Sequence, residues 1–209
     1  MAVILDELVV ADAPEAWRDC GFAVEGDICV VGEVRIRFTP EEGRGLSGWS
    51  LRGVKSTELD GLRTTRSNRP ALKAVPVHPN GITGIDHVVA ISSGLDRTIA
   101  ALEAAGLELR RVREEPTPAG APRQAFFRLG PAILEVVQEP AEATERSGGD
   151  RPAFFWGLAF VAPDLDATVA FLGDRAGEAR DAVQPGRRIA TLRRSAGLSL
   201  PLALMTPRA

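Results

Sequence analysis

The chain repeats itself, and the repeat keeps a chemically capable residue in only one copy. Ile85-Asp86-His87-Val88-Val89-Ala90-Ile91 runs into Leu95-Asp96-Arg97-Thr98-Ile99-Ala100-Ala101-Leu102. About 70 residues later, Gly157-Leu158-Ala159-Phe160-Val161 runs into Leu165-Asp166-Ala167-Thr168-Val169-Ala170-Phe171-Leu172. Each copy is a short apolar strand leading into a helix through Leu-Asp-x-Thr. In this register His87 falls opposite Gly157. A chain built this way stacks two similar supersecondary units whose chemistry differs.

The pattern after each strand–helix pair fixes the unit. Residues 94–106 carry Leu95, Ile99 and Leu102 at helical spacing and end at Gly106, a natural helix stop. An alternating stretch follows at 107–114. A turn rich in Pro and Gly (Pro116, Pro118, Gly120, Pro122) then leads to strands at 123–129 and 132–138, joined by Gly130-Pro131. Residues 154–206 repeat this order: strand 155–161, helix 164–173, a short strand near 179–183, strand 187–194, the turn Ala196-Gly197 and strand 198–205. The result is βαβββ twice, over 83–140 and 153–207, with an acidic, small-residue linker expected at 141–152.

Residues 1–62 read as a shortened, degenerate version of the same plan. Leu5-Asp6-Glu7 resembles Ile85-Asp86-His87, a helix is predicted near 14–20, and strands near 27–31 and 34–38 flank Gly32 as the later hairpin flanks Gly130. Gly48-Trp49-Ser50-Leu51 followed by Leu59-Asp60 reads as the stub of a further unit, and matches Trp49 to Trp156. Residues 63–82 form a polar connector.

Composition narrows the function classes. With 44% hydrophobic and 25% charged residues and a formal charge of −3, the chain offers no basic field for nucleic acid. No apolar run is long enough to cross a bilayer, and Met1-Ala2-Val3-Ile4-Leu5-Asp6-Glu7 lacks the basic start of a signal peptide. A cytoplasmic protein with Cys20 and Cys29 as reduced thiols is the expectation. The absence of tyrosine excludes a Tyr general acid.

Paired βαβββ modules opening with Ile-Asp-His-Val and closing with Leu-Glu-Val-Val resemble the vicinal oxygen chelate superfamily. That group includes glyoxalase I, extradiol dioxygenases, methylmalonyl-CoA epimerase and the bleomycin-resistance proteins. The resemblance covers 83–207 well and 1–60 weakly. It implies an α+β fold in which paired modules form a cup-shaped mixed sheet, with an extra degenerate N-terminal module. It also implies ligands on the first and last strand of each module. Carried over position by position, these are His87 and Glu135, opposed in the second module by Gly157 and Leu202. Half of the ligand set is therefore missing, and Glu7 is a further carboxylate that the N-terminal module could supply. The resemblance leaves two alternatives: no cofactor, or a weakly held divalent ion (Zn, Ni, Mn or Fe) on His87 and Glu135. A homodimer is expected on the same ground.

The candidate residues divide by role. A histidine beside a carboxylate has its charged form favoured and can act as an acid/base, so His87 and Glu135 are catalytic as well as metal candidates. Arg123 and Arg188 occupy equivalent positions; they either clamp an anionic ligand or solvate a strand end. Arg128 lies five residues from Arg123, on the opposite face. Phe126 and Phe155 are candidate walls of a small-molecule pocket, with core packing as the alternative. The charge-balanced run Arg110-Arg111-Val112-Arg113-Glu114-Glu115 reads as a solvated edge. Two functions follow: a metal-free protein that binds a small apolar or drug-like molecule, or a metal-dependent enzyme of lyase, isomerase or dioxygenase type.

Overall fold

The computed structural model describes residues 2–72, 76–117 and 120–208; Pro118 of the predicted turn lies outside them. In chain order the elements are β1 (Ile4–Val10), α1 (Pro14–Asp19), β2 (Val24–Glu25), β3 (Ile28–Val31), β4 (Val34–Phe38), β5 (Leu46–Arg52) and β6 (Thr64–Arg66). Then come β7 (Gly84–Ser92), α2 (Leu95–Ala104), β8 (Glu108–Arg113), β9 (Gln124–Leu129), β10 (Ala132–Gln138) and α3 (Ala141–Arg146). The chain closes with β11 (Phe154–Val161), α4 (Leu165–Leu172), β12 (Arg180–Asp181), β13 (Arg188–Thr191) and β14 (Leu202–Met205). Strands β1–β6 and β7–β14 belong to two open mixed sheets, giving the α+β fold of βαβββ modules.

One rule builds every module: its first strand pairs in parallel with its last, and the middle strands continue antiparallel outward. The orders are β2-β3-β4-β1, β8-β9-β10-β7 and β12-β13-β14-β11. A parallel partner cannot be reached by a tight turn, so a helix crosses over in between. In the middle module that helix, α2, buries Leu95, Thr98 and Leu102 and packs against β8, β9 and β10. Thr98 belongs in this stripe because its hydroxyl meets Ser92 Oγ at 2.7 Å. Gly106, at φ +93°, ends the helix as the sequence predicts. The α4 helix starts on the Asp164 carboxylate, which accepts from the Ala167 N–H at 2.9 Å.

The stub keeps only the rule, and its last strand, β6, falls inside the stretch expected as a polar connector. After β5 no helix forms at Leu59-Asp60; residues 53–63 turn back directly and β6 pairs with β5 in parallel, Trp49 against Thr64. The Asp60 carboxylate binds the Arg97 guanidinium instead. The linker after β10 also departs from expectation: Ala141–Arg146 is a short helix, started by Pro140.

By compactness the chain forms two units. One comprises Met1–Asp6, Gly48–Arg69 and His87–Trp156; the other comprises Glu7–Ser47, Pro70–Asp86 and Gly157–Ala209. The core of the first includes Phe127, Leu134, Val136, Leu102 and Trp49, with the Trp49 ring 5.0 Å from Phe155. The core of the second gathers Trp17, Phe22, Phe38 and Phe160, rings 4.9 to 6.1 Å apart. It also holds a buried ion pair, Asp86 with Arg187 at 2.7 Å, whose guanidinium is completed by the Thr206 carbonyl. Among the described residues no helix is long and apolar enough to cross a membrane.

His78 of the connector is buried here. Its Nδ1 accepts the Ala23 N–H at 3.0 Å, and its ring stands edge-on to Phe22. That bond requires a neutral ring, and burial holds its pKa below the ordinary 6.5. A histidine lowered in the folded state adds stability above its unfolded pKa, and this is lost as pH falls from about 6.5 through the lowered value. Urea midpoints measured at pH 7.5 and 5.5 should therefore drop more for the wild type than for His78→Asn. Equal drops would remove His78 as the cause.

Backbone contact governs the last module. A Cβ on Gly157 would lie 2.5 Å from the Pro201 carbonyl oxygen, and the neighbouring Leu158 N–H binds that same oxygen at 3.1 Å. Gly157→Ala should cost about 1–3 kcal/mol in chemical denaturation, as overpacking does. Gly157→Ala with wild-type stability would show that β11 and β14 can separate freely.

Candidate functional site

The parallel pairing of first and last strands sets the site. On β7 and β10 the register puts His87 beside Ile133 and Val89 beside Glu135. Register partners share a face, so His87, Val89, Ile133, Glu135 and Val137 all lie on the side opposite α2, where Val88, Leu134 and Val136 are packed. His87 Nε2 and Glu135 Oε2 are 3.5 Å apart, their side chains 14% and 15% exposed. The sequence-predicted pair therefore meets.

Strand β9 extends the face. Phe126 is in register with Glu135, and Gln124 with Val137. The Gln124 amide nitrogen donates to Glu135 Oε1. Glu135 is thus held on one oxygen by an amide and faces an imidazole with the other. Gln124 was not among the sequence candidates, although its parity, two residues before Phe126, places it on this face.

Three other candidates lie elsewhere. Arg123 has the opposite parity and reaches the α2 side, where it binds Asp96 at 3.0 Å and Glu114 at 2.7 Å. Arg188 does the same in the last module with Asp166 at 2.6 Å. The two are equivalent, and each ties a strand to the first turn of its module's helix. Phe155 packs edge-on against Trp49.

The other modules carry different chemistry at the same two positions. In the first, Glu7 is in register with Arg35 and Val9 with Arg37, so Glu7 and Arg37 match His87 and Glu135. Glu7 Oε1 accepts from Arg37 Nε at 3.2 Å. In the last, Leu158 pairs with Leu202, as Val88 pairs with Leu134. The counterpart of Glu135 is therefore Ala203, not Leu202. The slip arises because β13 and β14 are joined by a longer corner with a 3-10 turn at Arg194–Ala196, whereas Gly130-Pro131 is a two-residue hairpin. In the stub, the Trp49 N–H binds the Arg63 carbonyl as Leu158 binds that of Pro201, so Gly48 matches Gly157. Trp49 consequently corresponds to Leu158, and Trp156, 49% exposed, is no counterpart of it.

His87 and Glu135 are the two donors of the implied ligand set that this face carries. Among the described residues no group of three or more His, Cys, Asp or Glu side chains converges. His87 and Glu135 supply two donors, while catalytic zinc sites commonly keep three. Glycine and alanine at the matching positions supply none.

No protein-family model matches the chain, and no curated protein does. Solved structures do. Methylmalonyl-CoA epimerase from Mycobacterium tuberculosis matches 66% of this chain over 94% of its own, at 21% identity and a TM-score of 0.50. A methylmalonyl-CoA epimerase in complex with methylmalonyl-CoA and NH4+ matches 61% over 96%, at 22% identity and a TM-score of 0.50. A xylose isomerase-like TIM barrel/4-hydroxyphenylpyruvate dioxygenase fusion protein matches 99% of this chain at 12% identity and a TM-score of 0.64. The chain spans about half the length of that fusion protein, 49%. Together with the paired βαβββ modules, these likenesses establish the fold of the vicinal oxygen chelate superfamily.

Proposed function

We propose that the His87–Glu135 face binds a small, apolar or drug-like molecule without a resident metal, in the manner expected of a bleomycin-resistance-type cleft. The observation that supports this is the setting of Glu135. Its carboxylate is steadied by Gln124 and His87 beside Val89, Ile133, Val137 and Phe126, with charged residues, Arg128 and Glu108 among them, toward the outer strands of the same face. A few convergent polar groups on an apolar wall are what orient a ligand. Phe126 supplies a ring surface, and His87 and Glu135 supply the hydrogen-bonding anchor. Cytoplasmic residence and homodimerisation belong to the same proposal.

A second reading is favoured by the names of the fold neighbours, an epimerase and a dioxygenase fusion. In it, His87 and Glu135 hold a divalent ion whose shell is finished by water or substrate. The ion would polarise a substrate oxygen. His87 and Glu135 would be its ligands.

Two measurements separate these readings. Protein purified without added metal or chelator should carry no stoichiometric Zn, Ni, Mn or Fe. Stoichiometric metal lost on His87→Ala would establish the second reading in place of the first. Titration with 2-naphthalenemethanol should show saturable binding, weakened about tenfold, or about 1.4 kcal/mol, by Phe126→Ala and by His87→Ala. Binding unchanged by either substitution would move the ligand site off this face.

A further inference from the structure

The edge strand β8 carries an irregularity that changes what its arginines can do. Its register against β9 runs Glu108 to Arg128 and Leu109 to Phe127, then jumps to Arg111 against Phe126 and Arg113 against Gln124. Arg110 is the extra residue of a β-bulge. Without it, Arg110 would stand opposite Phe126, and Arg111 and Arg113 would turn to the α2 side. With it, both join Gln124 and Phe126 on the face that bears His87 and Glu135.

The arginines of this module differ in how they are held. Arg123 is bound by two carboxylates, Arg110 meets Glu108 at 2.6 Å, and Arg128 meets Glu108 at 4.0 Å. Among the described residues Arg111 has no carboxylate or hydrogen-bond partner. Arg113 has only Glu115 at 3.9 Å, beyond hydrogen-bonding distance. An edge strand gains protection from charge on either face. Edge protection alone therefore does not explain a bulge that collects on one face two guanidinium groups, one without a carboxylate partner and one with a single long contact to Glu115. The row from β7 through β10 and β9 to β8 spans three strand spacings, about 14 Å. It begins with an imidazole–carboxylate pair, crosses the Phe126 ring and ends in positive charge.

We infer that this face selects a ligand with an apolar middle and an oxyanion at one end, a carboxylate or a phosphate, received by Arg111 and Arg113. The inference rests on the binding face proposed above and names the class of molecule it takes. Arginine forks suit both oxyanions, since their paired N–H groups match two oxygens at once. Phe126 lies between the cationic end and Glu135, which keeps the ligand's anion away from the carboxylate.

Three probes of one ring system test this: 2-naphthoate, 2-naphthyl phosphate and neutral 2-naphthalenemethanol, titrated by calorimetry into the full chain. At least one anion should bind about tenfold or more tightly than the alcohol. The better of the two anions identifies the end group. The Arg111→Gln/Arg113→Gln double variant should abolish that preference, with added salt doing the same in part for the wild type. Circular dichroism melts of wild type and variant establish that both are folded. Should the double variant fail to fold, Arg111→Gln alone, at the more exposed position, should reduce the preference severalfold. Alcohol binding as tight as that of both anions overturns the inference and leaves the binding face intact. So does a preference that survives the substitutions. Failure of all three probes to bind overturns the face itself.

Discussion

Everything distinctive about this protein depends on a first strand lying parallel to a last one. That pairing brings residues separated by some fifty positions in sequence onto neighbouring rungs, with β7 against β10 placing Val89 beside Glu135 and His87 one step along. Because side chains alternate, the rung also decides which face each residue serves. In the middle module the inner rungs face α2 and are filled by Val88, Ala90, Leu134 and Val136, all buried. The opposite rungs are free to carry chemistry.

The four versions of this pairing form a series. Glu7 with Arg37 is an ion pair, His87 with Glu135 is an imidazole–carboxylate pair, and Gly157 with Ala203 offers no functional group. The stub has Gly48, and its Ser50 and Thr65 hydroxyls meet at 2.6 Å. In chain order, ionisable pairs thus stand in the first and third versions and glycine in the second and fourth. The N-terminal third therefore follows the alternation of the longer repeat, although its stub has neither helix nor middle strands between β5 and β6.

Much of this was legible in the sequence. The Leu-Asp-x-Thr entries located α2 and α4, Gly106 marked the end of α2, and Gly32 and Gly130 marked the hairpins. The pairing of His87 with Glu135 was implied by the family resemblance, and the parallel register of β7 and β10 brings the two side chains together. Two features stayed hidden for one reason: parity is lost wherever a strand gains or drops a residue. Leu202 stands one position short of the true counterpart, because the last corner is longer than a hairpin. The run at 110–115 looked like a neutral solvated edge, because nothing in its charges announces a bulge at Arg110. Gln124 went unread, because an amide at a strand start is unremarkable until its partner Glu135 is known. Trp49 and Trp156 were paired on letter similarity alone, which hydrogen-bond register overrides.

The glycine of the last module carries a consequence for how such proteins change. With the Pro201 carbonyl 2.5 Å from where a side chain would begin, the two backbones leave no room for a side chain at this rung. Placing any side chain there would require prising the main chains apart before any benefit appeared. The position therefore behaves as a latch: change is more accessible through the outer strands, where side chains can be exchanged without disturbing the backbone.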